Sequence, residues 1–523
     1  VQNWLTERPF WQVSLLSFLL GSLLAATFAP VHLIFLLPLC YSGLLVLLAR
    51  AKTAKQAFFI GWWFGFGQFV LGLYWIGVAF TIDANAHAAL IPVPTLLLPA
   101  CLAIFNGLAT YIIYKSRTSG IARILLFTAV WTSLEYVRGL LFTGFPWNLA
   151  GYSWGGMLAM LQWTAYLGIY GLTLLTILIS SMPALLADNT LSHQQRRRYI
   201  LLDCALLIVL VGAGFWRLQA PALDMMANTE IRVVQPNNPQ KDKWKGDTRF
   251  QHLRKLMDIS QSEGGQNRHW IWPETALPFF MTTDDRLQNY LAPRLPVDKT
   301  VITGAPRRHP TERKYWNSVQ ALGSDGSIQG VYDKRHLLPY GEYLPIREFF
   351  KQSGIASLIP VLDNMSDFSF PEQDMAKTTN YGNLPPARTL ICYEVAFPWE
   401  VSAPDPFDWI LNVTNDAWFG NTSGPHQHFV ISRTRAIEQG VSMIRSANNG
   451  ISAIIDGYGR ILQKRSPTDA GLLDSSIPAP IEGRTVYAKY GESIPITLTF
   501  LVFLFSSLLT KRRMTTTLNP SKQ

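Results

Sequence analysis

The sequence predicts a two-part chain. One part is a polytopic α-helical membrane domain of eight spans, and an α/β domain built as a layered sheet–helix sandwich is inserted before the last span. Three observations carry this reading. Of 523 residues, 49% are hydrophobic and only 15% charged, against ~25% charged in an ordinary soluble domain. Apolar runs long enough to cross a hydrocarbon core of ~30 Å recur through the first part of the chain and once more near its end. Between them, from about Glu230 to Tyr490, strand-like and helical patterns alternate. An aromatic content of 12% excludes a disordered chain.

The spans fall at roughly 11–29, 31–49, 57–80, 89–114, 122–143, 157–187, 199–216 and 494–510. Pro30 separates the first two as a tight hairpin. The stretch 157–187 is longer than one upright helix needs, and Pro183 is expected to end it. The first run reads as a span and not as a cleaved leader, because Glu7 and Arg8 supply no basic start and a second span follows at once. The corresponding domain boundaries are 1–225, 226–490 and 491–523.

Lys and Arg set the orientation. They cluster as Arg50, Lys52 and Lys55, as Lys115, Arg117 and Arg123, as Arg196–Arg198, and as Lys511–Arg513. The intervening loops around Pro30, Asp83–His87 and Phe145–Trp154 have none. Both termini are therefore expected in the cytoplasm, with everything between Arg217 and the last span outside. Two charges lie within a span, Glu135 and Arg138, three apart on one helix face where they can pair. They read chiefly as a structural pair orienting the loop that follows, with contact to a lipid headgroup as the other reading. Asp203 is expected to snorkel toward Arg196–Arg198.

In the outside domain, strands are expected at Ile231–Val234, His269–Trp272, Thr300–Thr303, Arg388–Cys392 and Trp409–Val413, and helices at Thr248–Gln261 and His428–Glu438. Ser324-Asp325-Gly326 and Asp456-Gly457-Tyr458-Gly459 read as hairpin turns. The tail after Arg513, rich in Ser, Thr and Lys, reads as disordered.

Cysteine usage narrows the chemistry. Cys40, Cys101 and Cys204 fall in spans, leaving Cys392 as the single thiol of the outside domain, so no disulfide can form within it. A lone strand-end cysteine is most often a small core residue, but its surroundings argue otherwise. Cys392 follows an apolar strand and precedes Tyr393 and Glu394. Ile271-Trp272-Pro273-Glu274 places a carboxylate just past another strand. The loop Asp333-Lys334-Arg335-His336-Leu337-Leu338-Pro339-Tyr340-Gly341-Glu342 packs Lys, His and Glu together. A thiol nucleophile, a carboxylate base and an ammonium beside an oxyanion make an acyl-transfer set.

In this order the residues resemble the carbon–nitrogen hydrolase (nitrilase) superfamily, whose Glu–Lys–Cys triad maps onto Glu274, Lys334 and Cys392. The resemblance covers the outside domain, including Asn415-Asp416-Ala417-Trp418-Phe419-Gly420 and Arg445-Ser446-Ala447-Asn448-Asn449-Gly450. With seven spans before and one after, and with Gly144-Phe145-Pro146-Trp147 and the Lys-x-His-Leu-x-Pro-x-Gly-Glu pattern, it is similar over essentially its whole length to the bacterial apolipoprotein N-acyltransferase family. That resemblance implies an αββα sandwich on the periplasmic face of the inner membrane. It also implies two-step transfer of a phospholipid acyl chain, typically from phosphatidylethanolamine, through a Cys392 thioester to the amine of a diacylglyceryl-cysteine lipoprotein. Glu274 would move protons, Lys334 would stabilise the oxyanion with the backbone N–H after Cys392, Glu342 would orient Lys334, and Glu394 and Tyr393 would support the site.

Trp244, Phe349 and Phe350 are the candidate lipid contacts; for Trp244 the resemblance implies this role, and an exposed loop aromatic is the other reading. The stretch Tyr343–Phe370, apolar but without helix periodicity over much of its length, is expected to form a mobile lid dipping into the interface, with a buried excursion as the other reading. No cofactor and no metal is called for, since His426-x-His428 lacks further ligands at suitable spacing. Besides lipid and lipoprotein the chain is expected to act as a monomer, without nucleic acid. Two other readings of the same residues are a membrane-tethered amidase that uses water as acceptor and a catalytically dead lipid-binding scaffold.

The net charge of +10 fits this picture. From Glu230 to Tyr490 there are 29 Lys and Arg against 28 Asp and Glu, and the rest of the chain carries 16 against 7. The basic excess belongs to the cytoplasmic loops and does not point to nucleic acid.

Overall fold

The computed structural model describes residues 8–82, 88–243, 245–347, 352, 367–371, 377–402 and 405–518. The chain divides into two compact units, one of residues 1–77, 91–220 and 486–523 and the other of residues 78–90 and 221–485.

The first unit is helical. Among the described residues, five helices are long and apolar enough to cross a membrane: Ala88–Ser116, Gly120–Thr143, Thr164–Ala187, His193–Arg217 and Ser493–Lys511. Ala54–Gly72 and Tyr74–Thr81 make a sixth if the pair, bent by 45°, is one span. Phe10–Ala25 and Leu36–Leu48 are apolar but shorter than the runs expected at 11–29 and 31–49. Turns consume residues 26–35, and hydropathy does not register a turn made of apolar residues. The long 157–187 stretch is divided as well: its main helix stops at Ser181, and Met182–Ala187 continues as a 3₁₀ turn around Pro183, which has no N–H to give.

With no water to compete, these helices meet through small residues and hydroxyls. Ser17 donates to the Ile60 carbonyl at 2.6 Å, Thr110 to that of Ala57 at 2.8 Å, and Ser506 to that of Ala122 at 2.7 Å. Glu135 and Arg138 are both buried and both grip the following loop. Glu135 accepts from the Ala150 N–H at 3.1 Å and from Trp131 Nε1 at 3.0 Å, while Arg138 Nη1 donates to the carbonyls of Phe145 at 2.7 Å and Trp147 at 2.9 Å. Asp203 departs from expectation: it is buried, its Oδ1 has no hydrogen-bond partner among the described residues, and it makes no ion pair there with Arg196–Arg198.

The second unit contains two six-stranded sheets. The first has the order β12-β1-β2-β3-β4-β5, with β1 Met225–Gln235, β2 His269–Ile271, β3 Thr300–Arg308, β4 Tyr315–Gly323, β5 Ile328–Asp333 and β12 Gly471–Pro478. The second runs β11-β10-β9-β8-β7-β6, with β6 Thr378–Thr379, β7 Ala387–Ile391, β8 Trp409–Thr414, β9 Ser442–Ala447, β10 Ala453–Ile455 and β11 Ile461–Lys464. The central pairs β1–β2, β2–β3, β7–β8 and β8–β9 are parallel, and antiparallel strands flank them.

Side-chain alternation explains the layers. Val233 and Ile271 point into a core shared with Ile391, Leu411, Val413 and Ile444 of the other sheet. Their neighbours Val234, Trp270 and Trp272 face outward onto Leu253, Leu256 and Met257 of the helix Gly246–Gln261. The helix Ser423–Gln439 packs against the second sheet through β9. This is the αββα order the sequence implied, and both expected hairpin turns are present, at β4–β5 and β10–β11. Strands β6, β9 and β12 were not anticipated; β12 pairs with β1 across more than 230 residues of chain, beyond the reach of any local pattern.

Candidate active site

Three strand ends bring the chemistry together. Strand β7 ends at Ile391, and Cys392 follows with a left-handed backbone (φ +50°) that opens the short 3₁₀ turn Cys392–Ala396. A side-chain-bearing residue adopts that conformation only where its surroundings enforce it, and it lifts the thiol out of the sheet. Strand β2 ends at Ile271, and Trp272, Pro273 and Glu274 continue beside β3: the Trp272 N–H donates to the Ile302 carbonyl at 2.8 Å, and that of Gly304 to the Pro273 carbonyl at 3.1 Å. Gly304 is required here, because a Cβ would lie 2.6 Å from both Glu274 Cα and the Pro273 carbonyl oxygen. Lys334 follows β5 directly, its N–H donating to the Asn317 carbonyl at 2.8 Å.

The side chains form one polar cluster in a dry setting. Lys334 is 2% exposed and its Nζ is 2.7 Å from Glu342 Oε2. Asn317 Nδ2 donates both to Glu274 Oε1 and to Glu342 Oε1, each at 2.8 Å, linking the two carboxylates. The Leu338 N–H fixes Glu342 Oε2 from the loop side at 2.8 Å. A second ammonium is present: Lys243, 4% exposed, donates from Nζ to the Glu274 carbonyl at 3.2 Å.

Electrostatics follow from this burial. Desolvation raises the Glu274 carboxyl above its usual range, with the like charge of Glu342 adding to it and Lys334 opposing. The Cys392 thiol is pushed well up, first by burial and then by the Glu274 charge, against the pull of Lys334. Burial works against the Lys334 ammonium, but Glu342 and Glu274 outweigh it and hold the group charged. Lys243 is drawn down to about 8 by burial, with Glu274 resisting. Burial thus favours the protonated thiol at Cys392 and draws the Glu274 carboxyl toward its protonated form as well.

Glu394 is fully enclosed and ties two of the loops together. One oxygen accepts from the Arg335 N–H at 2.7 Å, the His336 N–H at 3.1 Å and the Tyr332 hydroxyl at 3.0 Å, and the other from the Ile391 N–H at 2.7 Å. It therefore joins the lysine loop to the cysteine turn, helped by His336 stacked on Phe397 at 3.7 Å. Tyr393 is a packed aromatic, 6% exposed, with its ring edge on Phe397 at 5.0 Å. Trp244, Phe349, Phe350 and most of the expected lid lie outside the described residues.

Sequence reasoning missed Asn317, Lys243 and a buried group beneath the cysteine turn made by His428, Asp416 and Arg445. Asn317 sits in a strand with no motif around it, and Lys243 lies in a run of charges that reads as solvated. Asp416 and Arg445 stood in recognised motifs without a role. The ring of His428 lies against Asp416 and Arg445 at Nδ1 and against the Cys392 carbonyl at Nε2.

Comparison with known proteins gives a consistent picture. Residues 20–182 match the family profile described as the apolipoprotein N-acyltransferase N-terminal domain, and residues 231–482 match carbon-nitrogen hydrolase. The apolipoprotein N-acyltransferase of Rhodopseudomonas palustris is 37% identical over 88% of this chain and 88% of its own length. That of Bradyrhizobium diazoefficiens is 36% identical over 96% of both, and that of Brucella melitensis 35% over 87% of this chain and 86% of its own. Among solved structures, a nitrilase-superfamily amidase from Nesterenkonia is matched over 51% of this chain and 95% of its own at 15% identity, with a TM-score of 0.35. With relatives of this identity and coverage, the chain belongs to the apolipoprotein N-acyltransferase family.

Proposed function

We propose that this protein transfers an acyl chain from a phospholipid, by way of a Cys392 thioester, to the α-amine of a diacylglyceryl-cysteine lipoprotein. The observation that carries the reading is the enclosed cluster of Glu274, Asn317, Glu342 and Lys334 at strand ends beside a cysteine held in a left-handed turn. Family membership supports lipid and lipoprotein substrates, and phosphatidylethanolamine is the donor proposed here.

In the first half-reaction Glu274 takes the thiol proton while Cys392 Sγ bonds to the ester carbonyl carbon. The tetrahedral oxyanion is met by Lys334 and by the Tyr393 N–H. The carbon–oxygen bond then breaks, and Glu274 returns the proton to the departing glycerol oxygen, releasing a lysophospholipid. In the second, Glu274 takes a proton from the lipoprotein amine as nitrogen bonds to the thioester carbon. The carbon–sulfur bond breaks and the thiol is restored. Glu342 keeps Lys334 charged and aimed, and Glu394 holds the lysine loop against the cysteine turn. Loss of one oxyanion donor in such a site removes about 3 kcal/mol of transition-state stabilisation.

The same reading places the chain in the bacterial inner membrane as eight spans with both termini cytoplasmic. Residues 226–490 then form the periplasmic catalytic domain, flanked by the membrane parts 1–225 and 491–523, and the protein works as a monomer without nucleic acid.

The test is incubation of the purified chain with phosphatidylethanolamine and a diacylated lipopeptide, followed by mass spectrometry. The expected products are an acyl mass on Cys392 and an N-acylated peptide. Free fatty acid without acyl-peptide points to a hydrolase, and a fully active Cys392→Ala variant refutes the thioester.

A further inference from the structure

The left-handed turn at Cys392 is held from beneath by three side chains drawn from different elements. His428, on the helix Ser423–Gln439, directs Nε2 to the Cys392 carbonyl oxygen at 3.2 Å. Its Nδ1 lies 2.9 Å from Asp416 Oδ1, and Arg445 Nη2, from β9, lies 2.9 Å from Asp416 Oδ2. The Thr414 hydroxyl donates to Asp416 Oδ1 at 2.9 Å. Arg445 is fixed in turn by Asn412, by Ser432 at 2.9 Å and by the Ile451 carbonyl at 3.1 Å. The side chains of His428, Asp416 and Arg445 are all fully buried. Gly450 leaves room for the group, since a Cβ there would lie 2.6 Å from Asp416 Cγ.

A buried ion pair is weak evidence for stability, because desolvation consumes most of the attraction. What this one achieves is direction. The Cys392 carbonyl oxygen can only accept, so Nε2 carries a proton whatever the state of Nδ1. Burial raises the Asp416 carboxyl, but Arg445 and His428 overcome it and hold the group at about 2, so it is ionised while the enzyme works. Burial and the Arg445 charge lower the His428 pKa, so the ring is neutral, its proton sits on Nε2, and its bare Nδ1 accepts from Arg445 Nη2 at 3.1 Å. Asp416 fixes the ring by holding Arg445, and the ring donates to the peptide that joins Cys392 to Tyr393. The far end of that peptide is the Tyr393 N–H, the oxyanion donor of the proposed reaction. Hydrogen bonds in series polarise one another; a bond accepted at the carbonyl makes the N–H of the same peptide a stronger donor.

We propose that His428, oriented by Asp416 and Arg445, is a positioning residue that strengthens the oxyanion donor through the Cys392–Tyr393 peptide. The inference rests on the acyltransferase reading and adds to it a residue that acts through the Cys392–Tyr393 peptide. Its contribution appears only when negative charge develops on the acyl oxygen.

Two reactions of the same thiol separate this role from a merely structural one. Acylation by phosphatidylethanolamine passes through an oxyanion, whereas alkylation by iodoacetamide displaces iodide and forms none. Both are followed at the Cys392 peptide by mass spectrometry, in the full-length chain. In His428→Leu, acylation is expected to fall about 10-fold, a fraction of what complete loss of a donor removes, while alkylation stays within about 2-fold. In His428→Gln, whose amide N–H can reach the same carbonyl, acylation is expected to recover most of the loss. Equal loss of both reactions, or unchanged acylation in His428→Leu, overturns the proposal, as does failure of His428→Gln to improve on His428→Leu. If the unaltered chain is alkylated but never acylated, the acyltransferase reading itself falls and this inference falls with it.

Discussion

In the helical unit, Glu135 and Arg138 bond to main chain and to one tryptophan, through the Ala150 N–H, the Phe145 and Trp147 carbonyls and Trp131 Nε1, and Arg138 also lies over the Phe69 ring. In the α/β unit, Glu274, Glu342 and Lys334 bond to one another and to Asn317, with Cys392 close enough for Glu274 and Lys334 to shift its proton affinity in opposite directions. Both clusters bury charge, yet only the second can exchange protons among its members. A carboxylate whose partners are backbone groups shapes a loop. One whose partners are other ionisable side chains at strand ends can serve as a base.

Glu274→Gln is expected to have the largest effect. Removing a general base of this kind costs about 10³-fold, and acyl-enzyme formation should fall below detection. The pH behaviour of the thiol should move the other way. The Glu274 charge raises the Cys392 pKa, so its removal lowers it, and the pH midpoint of iodoacetamide alkylation should shift down. Unchanged acyl-enzyme formation would mean that Glu274 does not move the proton.

Lys334→Met should follow at about 10²–10³-fold in acylation, the usual loss for one oxyanion partner. Lys334 lowers the pKa of both Cys392 and Glu274. Without it both rise, so alkylation slows and the acid limb of the acylation profile shifts to higher pH, because Glu274 must be ionised to accept the proton. An unshifted limb with reduced rate would assign Lys334 to the oxyanion alone.

How much of this was visible in the sequence depends on distance along the chain. Cys392 stood out as the only outside thiol, and Glu274 because proline stops the strand before it. Lys334 and Glu342 share one loop, so local spacing held their relation. Asn317 carried no such mark: its place between the two carboxylates depends on the register of β4 against β3 and β5, where Ser318 faces Ala305 on one side and Asp333 on the other. Lys243 looked like one of several solvated lysines, and only folding buries it against Glu274. In the helical unit, Pro30 marked the turn between the first two apolar stretches, but hydropathy showed neither its extent over 26–35 nor the bend after Gly72, where the chain is as apolar as the helices it interrupts.

Gly304→Ala tests the same register without touching a charged group. A Cβ there must displace Glu274, and a shift of about 1 Å at a catalytic group costs about 100-fold. Acylation should drop by that order, with the thermal midpoint lowered modestly and alkylation of Cys392 preserved. Equal acylation would mean that the Glu274 segment is compliant, and that Asn317 alone sets the position of its carboxylate.

Glu135→Gln is expected to have the smallest effect on the chemistry, and it bears most directly on the contrast between the units. Glutamine keeps the shape and can still accept from Trp131 Nε1, but its amide nitrogen then faces the Ala150 N–H, leaving one buried donor without an acceptor. That loss is worth about 1–3 kcal/mol, and the neighbouring Arg138 loses the opposite charge beside it. The thermal midpoint should fall by several degrees while the acylation rate per folded molecule stays within about 2-fold. If the rate falls 10-fold at an unchanged midpoint, the loop that Glu135 and Arg138 hold contributes to turnover, and backbone partners no longer distinguish scaffold from chemistry in this protein.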